Sequence, residues 1–328
     1  MKVIVPLAGK GTRLLPLTKR VPKPLVHVAG RPVMDYVMDT LAGFDVEELL
    51  VITGHLKEDV ERYIRTHYRI PARFVEQKTL DGTAGAINLA RPWVDSPVLI
   101  IFVDTLFDAD LGLIRTQAAD GILWAKEVED YQRFGVIVTD QSGYMKRIVE
   151  KPDTPVSRLA NIGLYYIKDW RTLFEGIAHV LGQPAGKGGE FYLTDAFQYM
   201  VDQGRRLYTA SVGGWYDCGK VDTLLETNEH LLRNGRGLAP AAAPGVVIRE
   251  PVRIEPGVTL VNSTIGPNVT IEGGSRIEGS TVEHALLGRD VRLVRAQVKR
   301  SVIGDGQVIE DKSVADSVMD QGELARAK

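Results

Sequence analysis

Short aliphatic runs alternate with amphipathic stretches over the first two-thirds of the chain. Residues 3–7, 48–53, 73–76, 98–103 and 121–125 have the length and branched apolar content of buried strands. Between them, residues 33–41, 57–66, 84–90 and 111–118 place apolar side chains at helical spacing. Strand–helix alternation of this kind predicts an α/β fold: a Rossmann-like, mixed but mainly parallel sheet flanked by helices. Residues 135–139, 144–150 and 162–168 then read as further strands, and helical periodicity returns at 170–181, 193–203 and 221–234.

Beyond residue 235 the pattern changes. Residues 235–245 are rich in Pro, Ala and Gly and have no period, as expected of a linker. From Ile248 onward an aliphatic residue recurs every five or six positions: Ile248, Ile254, Leu260, Ile265, Ile271, Ile277, Val282, Leu287, Leu293, Val298, Ile303 and Ile309. Neither a helix nor a lone amphipathic strand has that period. It predicts a small β-solenoid of hexapeptide-like repeats, in which each coil buries its apolar row by stacking on the next. At about eighteen residues per coil the region holds three to four coils, with Gly266, Gly273, Gly274, Gly279 and Gly288 expected at corners. The expected division is therefore a first domain over 1–235, a linker over 236–245, the solenoid over 246–313 and a tail over 314–328.

Composition narrows the function. Forty Lys and Arg against 42 Asp and Glu leave a net charge of −2, which argues against a nucleic-acid binder but not against a local anion pocket. The single cysteine, Cys218, excludes an intrachain disulfide and a Cys-rich metal site. Pro6 and the glycines after it interrupt the N-terminal apolar run too soon for a signal segment, and no run is long enough to span a bilayer. A cytoplasmic protein with no membrane partner is expected.

The candidate chemistry starts at Leu7-Ala8-Gly9-Lys10-Gly11-Thr12-Arg13, a glycine-rich turn straight after the first strand. Glycines let successive N–H groups converge on phosphate oxygens. The loop fits neither the P-loop nor the dinucleotide fingerprint, and Pro16, Pro22 and Pro24 forbid an immediate helix. The turn instead opens a long cationic loop with Lys10, Arg13, Lys19, Arg20 and Lys23, suited to gripping phosphates. The plain alternative is a solvated basic loop. Asp104 follows the apolar run 98–103, at the strand edge where open α/β sheets bind ligands, and could hold Mg²⁺ there. Asp217, in Trp215-Tyr216-Asp217-Cys218-Gly219, could complete that metal site; it equally suits an ordinary turn. Cys218 reads as a packed side chain.

Taken in order, these residues resemble a known family. Leu7-Ala8-Gly9-x-Gly11-Thr12-Arg13-Leu14, Pro22-Lys23-Pro24-Leu25, Gln77-x4-Gly82-Thr83-Ala84, Val103-Asp104, Phe134-Gly135-Val136, Glu150-Lys151-Pro152, Asn161-Ile162-Gly163 and Trp215-x-Asp217 resemble the sugar-1-phosphate nucleotidylyltransferases, or NDP-sugar pyrophosphorylases, glucose-1-phosphate thymidylyltransferases among them. The C-terminal repeat resembles the left-handed β-helix that many members append. The resemblance implies transfer of a nucleotidyl group from an NTP, dTTP or UTP favoured, to a sugar 1-phosphate, glucose 1-phosphate favoured, with Mg²⁺ as cofactor. Gly82-Thr83-Ala84-Gly85 also resembles the guanylyltransferases that make GDP-mannose, so GTP stays open.

The resemblance further implies residue roles. Arg13 and Lys23 would clamp the phosphates as catalytic cations. Leu7, Ala8, Gly9, Gly11, Thr12, Arg13, Gln77, Gly82, Thr83 and Asp104 would hold the nucleotide, with Gln77 and Gly82 at the base edge. Gly135, Glu150, Lys151 and Asn161 would hold the sugar phosphate, and Asp104 and Asp217 the metal. Two rivals are acyl transfer by the solenoid, where His284 is the only histidine, and a non-catalytic scaffold homologue. The solenoid reads more simply as a brace or an assembly element, and a homo-oligomer is expected.

Overall fold

The structure is a computed structural model that describes residues 1–240 and 244–327; residues 241–243 of the expected linker lie outside the described residues. Two compact units make up the chain. The first comprises Met1–Gly9, Leu41–Val103 and Phe107–Trp215; the second comprises Lys10–Thr40, Asp104–Leu106 and the chain from Tyr216 onward. The units are thus interleaved in sequence. The cationic loop and Asp104 belong with the C-terminal repeat, not with the sheet.

The first unit is built on a mixed sheet. Its strands run in the order Met145–Glu150, Gly135–Thr139, Leu159–Ile167, Val98–Ile101, Lys2–Pro6, Glu48–Thr53 and Ala72–Glu76, while Gly121–Glu127 pairs with both Leu159–Ile167 and Leu207–Ser211. Lys2–Pro6 lies parallel to both neighbours. Such central strands are covered on both faces, so their sequences are nearly continuous in apolar residues: Leu49, Leu50, Val51 and Ile52 are wholly buried. Ala72–Glu76 and Met145–Glu150, at the ends of the order, are only partly buried. The helices Trp170–Leu181 and Leu193–Asp202 supply Leu173, Phe174, Ile177, Ala196, Phe197 and Met200 to the core under the sheet. The first of these starts at Asp169, whose carboxylate accepts from the Thr172 N–H at 3.2 Å and the Thr172 hydroxyl at 2.7 Å, a side-chain cap. The expected helix at 111–118 shrinks to the single turn Leu113–Thr116.

The second unit carries the solenoid. All twelve of the periodic aliphatic residues lie in its core or pack against it. Parallel pairing carries Ile265 to Val282, Val282 to Val298 and Val298 to Val314, so a coil is 17 residues in the first turns and 16 afterwards, shorter than expected. Pairing runs from Val247 through Met319, beyond the expected boundary at 313. The expected tail instead folds into the antiparallel pair Ser317–Asp320 and Glu323–Arg326, which covers the open end of a stack that would otherwise expose a strand edge. The corners are only partly built of glycine. Of the five glycines expected at corners, Gly266, Gly274 and Gly279 take the left-handed conformation and Gly273 and Gly288 do not. Asn262, Asn268, His284, Asp290, Arg295, Arg300, Asp311 and Asp316 take the left-handed conformation without being glycine. Asn and Asp tolerate it because their short polar side chains bond locally. Among the described residues, no helix is long and apolar enough to cross a membrane.

Candidate active site

In the second unit, the prolines of the cationic loop shape it into three single 3-10 turns, Thr12–Leu14, Leu17–Lys19 and Lys23–Leu25. Gly11 is left-handed at φ 62°, and a Cβ there would stand 3.0 Å from Thr18 Cγ2 and 3.2 Å from Lys23 Cβ. The buried Thr18 hydroxyl donates to the Gly11 carbonyl at 2.8 Å. Gly11 therefore brings the start and end of the loop together, with Arg13 left exposed and Lys23 held inward.

Lys23 Nζ lies 3.0 Å from Asp104 Oδ2. Asp104 sits in a turn, because its strand stops at Ile101 rather than running to Val103. The Asp104 carbonyl accepts from the Cys218 N–H at 2.9 Å, which ties that turn to the Asp217 segment. Asp217 Oδ1 accepts from the Gly219 N–H at 2.7 Å, and a Cβ at Gly219 would reach 3.3 Å from Lys23 Nζ. Lys23, Asp104 and Asp217 are thus gathered at one place. Cys218 is buried among them, and burial pushes its thiol up to about 12, so it stays protonated and packed. Among the described residues, no cluster of three or more His, Cys, Asp or Glu is arranged for a metal. The available donors are two hard carboxylates, which match Mg²⁺ completed by substrate phosphates better than a soft-ligand metal.

The same unit braces this loop. Asn228, wholly buried on the helix Val221–Leu231, accepts from the Ala29 N–H at 3.1 Å and the Thr270 hydroxyl at 2.7 Å. Its amide donates to the Asn268 carbonyl at 3.3 Å. His27 Nδ1 stands 2.5 Å from Glu272 Oε1, and Arg289 Nε donates to Glu272 Oε2 at 3.3 Å.

The first unit holds two further groups. In one, Gln77 is buried, and its amide Nε2 donates to Asp81 Oδ1 at 2.9 Å and to the Gly82 carbonyl at 3.2 Å. Gly82 is at φ 110°, where a Cβ would stand 2.4 Å from the Phe191 carbonyl, so only glycine fits. Phe191 N–H donates to the Asp81 carbonyl, the Phe191 carbonyl accepts from Ala84 N–H, and Thr83 Oγ1 accepts from Leu193 N–H at 2.9 Å.

In the other group, cross-strand register sets Glu150 opposite Gly135. A Cβ on Gly135 would meet Asn161 Nδ2 at 2.5 Å and Glu150 Oε2 at 2.7 Å, so the missing side chain is what lets these polar groups converge. Asn161 Nδ2 donates to the Gly135 carbonyl at 2.7 Å, and the Tyr165 hydroxyl donates to Asn161 Oδ1. The Thr194 hydroxyl donates to Glu150 Oε2 at 3.0 Å. Burial pushes the Glu150 carboxyl above the usual carboxylate range, against the opposing effects of Thr194 and Lys151. Lys151 Nζ lies 3.9 Å from Glu150 and 3.8 Å from Glu190. A cavity of about 530 Å³ adjoins Glu150 and is also lined by Lys146, Arg147, Lys187, Tyr192 and Asp195. Tyr165, Tyr192 and Thr194 were not singled out from the sequence. The signal for the last two was Glu190-Phe191-Tyr192-Leu193-Thr194-Asp195, polar residues breaking the apolar approach to a helix just after two glycines.

A family model described as nucleotidyl transferase matches residues 2–234. The chain is 32% identical over 281 residues to the bifunctional protein GlmU of Methanococcus aeolicus, covering 86% of this chain and 61% of that protein. It is 32% identical over 241 residues to UTP--glucose-1-phosphate uridylyltransferase AglF of Haloferax volcanii, covering 70% of this chain and 96% of that one. It is 26% identical over 332 residues to a glucose-1-phosphate thymidylyltransferase of Streptomyces griseus, covering 93% and 92%. Among solved structures, a UDP-glucose pyrophosphorylase complexed with UDP-glucose matches with a TM-score of 0.63 and 26% identity, over 71% of this chain and 98% of that one. The chain spans only 61% of the length of the GlmU proteins of Methanococcus aeolicus and Methanocaldococcus jannaschii.

Proposed function

The chain belongs to the nucleotidyl transferase family, and from that premise we propose that it joins an NTP to a sugar 1-phosphate, giving an NDP-sugar and pyrophosphate. A phosphate oxygen of the sugar 1-phosphate attacks the α-phosphorus in line; the bond to the β-phosphate oxygen breaks, and pyrophosphate leaves with that electron pair. The nucleophile is already an anion, so no proton needs to be removed. The barrier lies in bringing two anions together and in the charge that builds on the transferred phosphoryl group. The convergence of Lys23, Asp104 and Asp217 is the observation that carries this reading.

Arg13 and Lys23 neutralise the triphosphate, with the N–H groups of Ala8, Gly9, Gly11 and Thr12 approaching its oxygens and Leu7, whose N–H donates to the Ile52 carbonyl at 2.7 Å, fixing the start of the loop. Asp104 and Asp217 hold Mg²⁺, which when bound offsets negative charge on the phosphates. Glu150 accepts hydrogen bonds from sugar hydroxyls, Asn161 and Gly135 border the sugar, and Lys151 faces its phosphate. Gln77 and Gly82 read the base, beside Thr83. Because both amide N–H groups of Gln77 are engaged, the atom it offers is a carbonyl oxygen. That acceptor suits an imide N–H such as N3–H of uracil or thymine, and opposes the ring acceptor of cytosine or adenine. The same oxygen would accept guanine N1–H, so it separates these three bases from cytosine and adenine; dTTP and UTP lead because the Gln77-to-Gly82 spacing resembles that of thymine- and uracil-using members, with glucose 1-phosphate as the acceptor. A cytoplasmic homo-oligomer completes the proposal.

The test is pyrophosphate release across five nucleotides and the 1-phosphates of glucose, mannose and N-acetylglucosamine. Release with dTTP or UTP and glucose 1-phosphate is expected. Asp104→Asn and Asp217→Asn should each lower kcat by about a hundredfold or more, as loss of a charge-stabilising group does. Nucleotide binding without release in any combination would instead indicate a non-catalytic homologue.

A further inference from the structure

We propose that Tyr192 is a positioning residue for Lys151, setting the ammonium group that meets the sugar phosphate; this rests on the role given to Lys151 above. Lys151 follows Glu150, the end of its strand, and has φ 44°, a left-handed conformation unusual for a long side chain. Its backbone N–H is held by the Phe134 carbonyl at 3.0 Å. The side chain lies across the Tyr192 ring, with Nζ 4.7 Å from the ring centre and 3.4 Å from the hydroxyl oxygen. Both carboxylates beside it stand back at 3.8 and 3.9 Å, beyond ordinary hydrogen-bond length. An ammonium directed by a ring face keeps its strongest donors available to an incoming anion, whereas a tight ion pair would engage them.

The ring itself is fixed. Tyr192 is buried, its hydroxyl donates to the Lys187 carbonyl, and its neighbours Phe191 and Leu193 are pinned to Asp81, Thr83 and Ala84. One short segment thus anchors the Lys151 side chain and the Gln77–Gly82 loop in the same unit.

The experiment measures KM for glucose 1-phosphate and for dTTP in the full chain carrying Tyr192→Phe, Tyr192→Leu or Tyr192→Met, alone and with Lys151→Gln. Tyr192→Phe keeps the buried ring face while losing the hydroxyl's contacts with Lys151 Nζ and the Lys187 carbonyl, and should change the glucose 1-phosphate KM less than about twofold. Tyr192→Leu and Tyr192→Met should raise the glucose 1-phosphate KM by about five- to tenfold, the scale of a cation–π contact, with the dTTP KM unchanged. In the Lys151→Gln background, neither should add anything. A normal KM for the Leu and Met variants beside a raised KM for Lys151→Gln overturns the positioning role. So does an undiminished effect of Tyr192→Leu in the Lys151→Gln background, which would mark plain packing. A normal glucose 1-phosphate KM for Lys151→Gln alone would overturn the role of Lys151 itself.

Discussion

At Glu150 a carboxyl group is held where water is scarce, between Thr194, Gly135 and Lys151, and burial raises its titration above that of an ordinary glutamate. Its proposed role as an acceptor for sugar hydroxyls is strongest in the ionised form, whose hydrogen bonds are charge-assisted. Activity toward the sugar phosphate should therefore rise with pH through the Glu150 titration, on an acid limb above the usual glutamate range. The phosphate's own second ionisation, near pH ~6, adds to the same limb. Glu150→Gln removes only the first contribution: it should lower kcat/KM by about ten- to a hundredfold, the scale of charge-assisted hydrogen bonds, and leave the phosphate limb alone. A pH profile of both proteins separates the two. The sign for stability is opposite. The folded protein holds this proton to higher pH than the unfolded chain, so Glu150 makes stability fall as pH rises between the two values.

Among the elements, strands and helices with one dominant period were legible in the residues, and those set by distant contacts were not. The helix over 170–181 is marked by its Asp cap and by Gly182 after it, both local signals. Leu207–Ser211 carries no such local mark, because its burial comes from pairing with Gly121–Glu127, more than eighty residues away. The candidate site shows the same division. Glycines and charges with a sequence signature were visible, whereas Tyr165, Tyr192 and Thr194 act through partners that only folding brings near. Asn228 belongs to this second group, a buried amide on the helix Val221–Leu231 that joins the cationic loop to the solenoid. Asn228→Ala leaves the Ala29 N–H, the Thr270 hydroxyl and the Asn268 carbonyl each short of a partner. It should destabilise the protein by about 2–4 kcal/mol, since unsatisfied buried groups cost about 1–3 kcal/mol each and part is recovered by relaxation. Urea unfolding of the full chain measures the loss, and a change below about 0.5 kcal/mol would mean that the bridge carries no load.

For the whole molecule, residues 10–40, which carry the proposed phosphate-gripping loop, belong to the same compact unit as the solenoid. Ending the chain at Arg236 would remove Glu272 from His27 and both Asn268 and Thr270 from Asn228. Such a truncation should lose pyrophosphate release even though every proposed catalytic residue remains, and the check is activity beside a folding measurement on the same sample. The solenoid has one more consequence, for how such a chain can change length. Arg295 pairs with Asp311 and Arg300 with Asp316, each across one coil of 16 residues. In the later coils, corner conformation, inward aliphatic side chain and outward charge all keep that count, while the first coils have 17 residues. Losing one residue within a strand would turn its charges inward and its aliphatic residues outward, whereas a corner absorbs one residue, as the step from 17-residue to 16-residue coils shows. Losing sixteen would leave the phase intact. Viable length variants of this repeat should therefore be whole coils, or single residues placed at a corner, and not single residues within a strand.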